Sequence, residues 1–173
     1  AGAYFQGSGS IAIGVQAGQT SQAFKSLAIG QEAGEYQQNS LAIAIGYRAG
    51  ASGQKSRGLA IGEAAGQLGQ GTNSIAIGSK AAKGEEPGTF GTGKGPQSDE
   101  AIAIGNNTAF YNQRAHSIAI GTSAGAYQQG TQAIAIGKYA GRTGQGTQAI
   151  AIGAQAAQTN HCLLYTSPSP RDV

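Results

Sequence analysis

The four-residue block Ile/Leu-Ala-Ile-Gly occurs nine times in this chain, and its spacing fixes what the chain can fold into. The block glycines are Gly14, Gly30, Gly46, Gly62, Gly78, Gly105, Gly121, Gly137 and Gly153. Each lies 16 residues after the last, except that Gly78 to Gly105 spans 27, one unit with 11 residues inserted. Self-similarity at a fixed short period is the mark of a stacked architecture, in which each unit buries its apolar surface only against its neighbours.

The rest of the unit repeats too. With the block glycine as position 0, position +3 is Ala at Ala17, Ala33, Ala49, Ala65, Ala81, Ala124, Ala140 and Ala156. Position +4 is Gly or Ala, and position +12 is small, as at Ser26, Ala42, Gly58, Ser74 and Ser117. Position +8 is Gln at Gln22, Gln38, Gln54, Gln70, Gln113, Gln129 and Gln145, with Glu86 standing there in the odd repeat. Residues from Ala1 obey the same register, so the expectation is that the repeat domain is part of a longer protein.

Ile-Ala-Ile alternates with period two, a strand pattern that puts both Ile on one face and Ala on the other. The following Gly permits a positive-φ corner. Glycine recurs too densely for helix. The expected fold is all-β: a parallel β-solenoid of 16-residue coils over residues 1–161, interrupted by an irregular loop at 83–100. A second strand is expected over +3 to +7, as at Ala124 to Gln128. The Ile at +13 and +15 are expected to form apolar ladders through the core. The Gln at +8 are expected to stack as an amide ladder. Ala at +14 and the small residue at +12 would then leave a flat outer face suited to a sister chain.

Residues 162–173 match nothing in the repeat. Cys162 to Asp172 read as the translation of a transposase-type sequencing adapter, and His161 stands where the register asks for Gln, as a fused codon would give. These residues are set aside as a non-native tail. With them goes the only cysteine, so neither a disulfide nor a thiolate ligand is expected in the repeat domain.

Composition narrows the functional classes. Charged residues are 11 % of the chain, far below the roughly 25 % of ordinary soluble domains. Low charge fits a surface hidden in an oligomer or covered by neutral amides and hydroxyls. The glycines lack the three-residue period of collagen. The apolar blocks are too short for a transmembrane helix. Lys and Arg are scattered and form no basic stripe, which argues against nucleic acid as a partner.

Ser-Ile-Ala-Ile-Gly with small residues downstream resembles the head repeats of trimeric autotransporter adhesins (the YadA-like head, or haemagglutinin repeats). Ala-Ile-Gly-x-x-Ala-Gly repeats rich in Gln are also similar to those of viral and phage fibre proteins. The first resemblance covers residues 1–161 apart from roughly 83–100, and the 16-residue period departs from it, being shorter in that family. It implies a left-handed β-roll, a homotrimer, display on a cell or virion surface, and attachment to a host protein or glycan.

Catalytic, cofactor and metal sites are not expected. Lys83 to Glu100 carries Glu85, Glu86, Asp99 and Glu100 and is the segment where a binding loop would project from a rigid scaffold. Its bland alternative is a decayed repeat or tolerated insertion, with Phe90 in a core slot. Gly88, Gly93 and Lys94 have P-loop spacing, but Gly95 replaces the hydroxyl residue and Pro96 denies the helix, so nucleotide binding is not expected. His116, at +11, reads as an exposed turn residue without the partner that nucleophilic catalysis needs. Glu32, Glu35 and Glu63 make no carboxylate pair, and the Gly-Gly-x-Gly-x-Asp of calcium-binding repeats is absent. Tyr4, Tyr36, Tyr111 and Tyr127 share position +6, as a row that touches sugar or merely caps a strand edge. An ice-binding solenoid would need a regular Thr face, and Thr72, Thr131 and Thr147 at +10 are too few. A hexapeptide-type acyltransferase would need 18-residue coils. The expected function is therefore the structural and adhesive segment of a trimeric surface fibre, with a pure spacer as its chief rival.

Overall fold

The computed structural model describes residues 2, 4–84 and 97–159. They form a parallel β-solenoid without helix. Each coil contributes one Ile/Leu-Ala-Ile strand to a nine-stranded sheet that runs from Ile11–Ile13 to Ile150–Ile152. Pairing is between equivalent positions throughout: Ile43 with Leu59, Ala44 with Ala60, Ile45 with Ile61. The register survives the odd repeat, where Ile75 pairs with Ile102 and Ala76 with Ala103.

A second set of strands lines the opposite side of the coil. Tyr4–Gln6, Thr20–Gln22 and Tyr36–Gln38 make one three-stranded sheet, and Tyr111–Gln113, Tyr127–Gln129 and Thr143–Gln145 make another. Single bridges from Tyr36 to Ser52 and from Ser52 to Leu68 continue the first. This strand occupies +6 to +8, two residues or so later than the +3 to +7 expected. The reason is local. Positions +1 to +4 are consumed by the turn after the block glycine, where +2 lies in the left-handed region (Gln16 φ 57°, Arg48 φ 55°, Ser123 φ 56°).

The middle residue of the second strand is left-handed as well (Ser21 φ 56°, Gln37 φ 54°, Gln128 φ 58°), as is +11 (Lys25 φ 51°, His116 φ 58°). Position +4 is left-handed too (Gly50 φ 51°, Ala109 φ 45°), so four such corners wrap a coil within 16 residues. No Val, Ile or Thr stands at any of these positions, and the stiff β-branched side chains tolerate this backbone worst.

The core reverses one expectation. Both Ile of each strand point outward, and the Ala between them points in. Ala44, Ala60, Ala76, Ala103, Ala119 and Ala135 are fully buried, packed against the +3 alanines such as Ala49, Ala65, Ala81 and Ala124. The physical reason is width. A methyl group built on Gly50, across the coil, would sit 2.7 Å from Gln54 Oε1 and 3.3 Å from the Ala44 methyl. An interior so narrow that +4 admits nothing larger than alanine, as at Ala82 and Ala109, cannot hold two isoleucines per coil. The small residues at +12 and +14 are therefore lining, not an outer face.

The block glycines are held by an equally close approach. Gly62 has φ +125°, and a Cβ there would lie 2.7 Å from the Gly78 carbonyl oxygen. That backbone region is essentially reserved for glycine.

The odd repeat is more regular than expected. Lys83 and Gly84 still belong to their coil, with Gly84 N–H donating to Phe110 O at 3.0 Å, and the ladder resumes at Ser98 N–H to Gln113 O at 2.9 Å. Lys83, Gly84 and Gln97 to Glu100, expected in the irregular loop, thus follow the coil, and residues 85–96 lie outside the described residues. Phe90 and the P-loop-like Gly88 to Gly95 lie outside the described residues, as does the tail after Thr159.

Two substitutions separate inward from outward positions. Ala76→Ile overpacks the interior and should cost about 1–3 kcal/mol or more. Ile77→Ala, on the outer face, should cost the isolated chain less. Urea unfolding followed by circular dichroism measures both, and equal costs would contradict the assignment of faces.

Candidate interaction surface

The +8 glutamines are the polar half of the interior. Gln22, Gln38, Gln54, Gln70, Gln113 and Gln129 are almost fully buried. Each reaches from the outer strand across the coil. Gln54 Nε2 donates to Ile43 O at 2.8 Å and to Gly58 O at 2.9 Å, which ties the two sides of the coil together. The amides also bond along the rod: Gln22 to Gln38 at 3.2 Å, Gln38 to Gln54 at 3.2 Å and Gln54 to Gln70 at 3.0 Å. The amide ladder expected from the repeat is present from Gln22 to Gln70 and again from Gln97 to Gln113; the Oε1 atoms of Gln97, Gln129 and Gln145 accept no bond. The ladder's member in the odd repeat is Gln97, which donates to Ile75 O at 2.9 Å and to Gln113 Oε1 at 3.1 Å; Glu86, expected there, lies outside the described residues. A carboxylate there would bury a charge with no cation and could not donate.

Outside, the Ile/Leu positions at +13 and +15 form two parallel apolar ladders along the nine-stranded sheet. The inner coils leave them partly exposed, and the end strands more so: Ile11 is 51 % exposed and Ile152 53 %. At about 4.8 Å per strand the strip is roughly 40 Å long. A continuous apolar strip of that size marks an interaction surface.

The coils flanking the interruption are joined by charge. The Asp99 carboxylate accepts the Thr72 backbone N–H at 2.7 Å and Lys55 Nζ at 3.3 Å, so it joins three turns of the rod. The Thr72 hydrogen bond holds its pKa below the usual value; desolvation opposes it, and Lys55 adds to the lowering. His116 pairs with Glu100 at 3.0 Å, with both side chains about half exposed. His116 is thus a turn residue in a surface ion pair.

The remaining singled-out residues are dispersed. Glu32 pairs with Arg48 at 3.2 Å, and Glu63 accepts from Ser79 at 3.3 Å. Glu35 is buried beside Tyr36 and raises the phenol's pKa through a hydrogen bond. Among the described residues no three His, Cys, Asp or Glu side chains come together. No described helix is long and apolar enough to cross a membrane. The +6 tyrosines do share one side of the rod, where Tyr111 and Tyr127 pair in register with ring centroids 5.8 Å apart. Thr72, Thr131 and Thr147 lie at the turn after the second strand, so they form no threonine face. One arrangement had no periodic signal: Arg142, at +5, lies against Tyr127 and Tyr139 of different positions.

Two outcomes test this layout. Gln54→Leu removes the amide bonds to Ile43 O, Gly58 O, Gln38 and Gln70 from the interior, and should cost about 2–4 kcal/mol in urea unfolding. The depressed Asp99 pKa contributes stability that is complete above its unfolded value and is lost as pH falls through the lower folded value. In an acid titration of Tm, Asp99→Asn should flatten that part of the profile and leave the neutral-pH limb unchanged in shape.

Comparison with known proteins finds two copies of the YadA head domain repeat, at residues 70–82 and 115–140. These are the regular coils on either side of the interruption. No curated protein and no solved structure matches the chain. The match over these two stretches is consistent with an adhesin-like segment of the trimeric autotransporter kind.

Proposed function

We propose that this chain is the rod-shaped adhesive segment of a homotrimeric fibre on a cell or virion surface, and that three copies meet through the outward Ile/Leu ladders. The observation that carries this is the strip itself. Every coil spends its two largest aliphatic side chains on the outside, where they stabilise nothing within one chain beyond contacts along the ladder. Closing three strips around one axis removes them from water at about 25 cal/mol per Å² of apolar surface. A closed ring of three also avoids the open-ended association that a lone apolar strip invites. The surface that remains is neutral amide, hydroxyl and tyrosine, with few charges. The YadA-type repeats support the same reading. Attachment would work through avidity, with equivalent weak contacts presented by three chains on one stiff rod.

The expected faces change accordingly: the small-residue positions are interior, and in this reading the isoleucines take the intersubunit role.

Light scattering tests the assembly. The chain should have three times its monomer mass, and Ile61→Asp with Ile77→Asp should give a monomer that keeps its β spectrum. A monomeric parent chain contradicts the proposal. Attachment is tested with beads coated in the chain on host cells. Deleting residues 86–96 restores the 16-residue step between block glycines. Adhesion unchanged by that deletion assigns the contact to the rod, and adhesion abolished assigns it to the loop. A parent chain that does not bind cells leaves the spacer as the function.

A further inference from the structure

Residues 101–159 contain no Asp or Glu, yet they carry Arg114, Lys138 and Arg142. Two of these cations meet on one aromatic platform. The Arg142 guanidinium lies 5.9 Å from the Tyr127 ring centroid and 5.3 Å from that of Tyr139. Lys138 Nζ stands 5.2 Å from the same Tyr139 ring. The backbone fixes this grouping. Tyr127 N–H donates to Arg142 O at 2.8 Å, which sets the two residues on adjacent coils, and Tyr139 is held in a left-handed corner at φ 62°.

The charge there is uncompensated. Arg142 and Lys138 make no ion pair among the described residues, and the Arg142 Nε is buried without an acceptor. The nearest acids in sequence, Asp99 and Glu100, are engaged by Lys55 and His116. Elsewhere on the rod Arg48 has Glu32 as its partner. A guanidinium set beside two rings keeps its planar fork for a planar or tetrahedral anion. The exposed ring edges beside it offer apolar surface to the C–H faces of a sugar.

We propose that Arg142, Lys138, Tyr127 and Tyr139 form a binding site for an acidic polysaccharide, one whose pyranose rings bear sulfate or carboxylate. This rests on the adhesive reading and names the class of receptor. Single-stranded nucleic acid fits less well. Its bases need open ring faces on which to stack, and here the guanidinium occupies both tyrosines. Three copies of the site on a trimer would turn a weak contact into a firm one.

The test is calorimetric titration of the full chain with a size-defined heparin oligosaccharide at low ionic strength, with its desulfated form and a single-stranded oligonucleotide of equal charge as comparisons. The sulfated sugar should bind, and binding should weaken with salt. Arg142→Gln should weaken it about tenfold or more, the loss expected for a charge-assisted hydrogen bond. Arg142→Lys, which keeps the charge but not the fork, should recover only part. Circular dichroism of each variant checks the fold. No binding of the sulfated sugar, binding unchanged by Arg142→Gln in a folded variant, or equal affinity for the oligonucleotide would each overturn the site. If the parent chain still attaches to cells in any of those cases, the adhesive reading stands and only this receptor class is lost.

Discussion

The narrowness of the coil interior governs everything else in this molecule. Two backbone walls approach until a methyl group from +14, a methyl from +3 and one Gln side chain fill the space between them. At the block glycines the coils stack closely enough that a Cβ would meet the carbonyl of the next coil at 2.5–2.9 Å. Such a core buries little apolar area per residue. It is held instead by hydrogen bonds: ladders between coils, and the +8 amide bridging the two walls within each. Buried amides of this kind stabilise most where their partners are in place, as the Nε2 donors are in each coil, and the odd repeat still delivers Gln97 to the right point.

The same constraint explains the outer surface. A coil too narrow for isoleucine must put isoleucine outside, on the sheet whose register is the most regular in the fold. In a monomer that is a liability, because a straight apolar strip beside parallel strands invites association. In a closed trimer it becomes the principal apolar core, shared among chains rather than owned by one. Folding and assembly would then be coupled. The interior fixes the shape of each coil, and the strips supply the hydrophobic stabilisation that the interior lacks.

Much of this was legible in the residues. The 16-residue step gave the coil, the parallel register and the Gln ladder, because identical positions stack directly. The absence of Val, Ile and Thr at +2, +7 and +11 was also readable and marks the left-handed corners. What the pattern leaves open is which face of Ile-Ala-Ile is inside. Alternation assigns side chains to two faces, and hydrophobicity then favours Ile inward; only the separation of the walls decides otherwise. Glu86 shows a similar limit, since counting from Gly78 places it at +8, and it takes the backbone path to show that Gln97 arrives there instead. The Arg142 site was illegible because its residues come from positions +1, +2, +5 and +6 of neighbouring coils, with no shared period.

The central claim is that the isoleucines face outward and are covered only by other copies of the chain. Methyl-selective nuclear magnetic resonance of isoleucine, with a soluble paramagnetic agent, tests it directly. The account predicts that the Ile methyls of the assembled chain are protected, and that the same methyls in the Ile61→Asp, Ile77→Asp monomer relax strongly in the presence of the agent. Ile methyls protected equally in the monomer and the assembly would contradict it, placing them inside the coil.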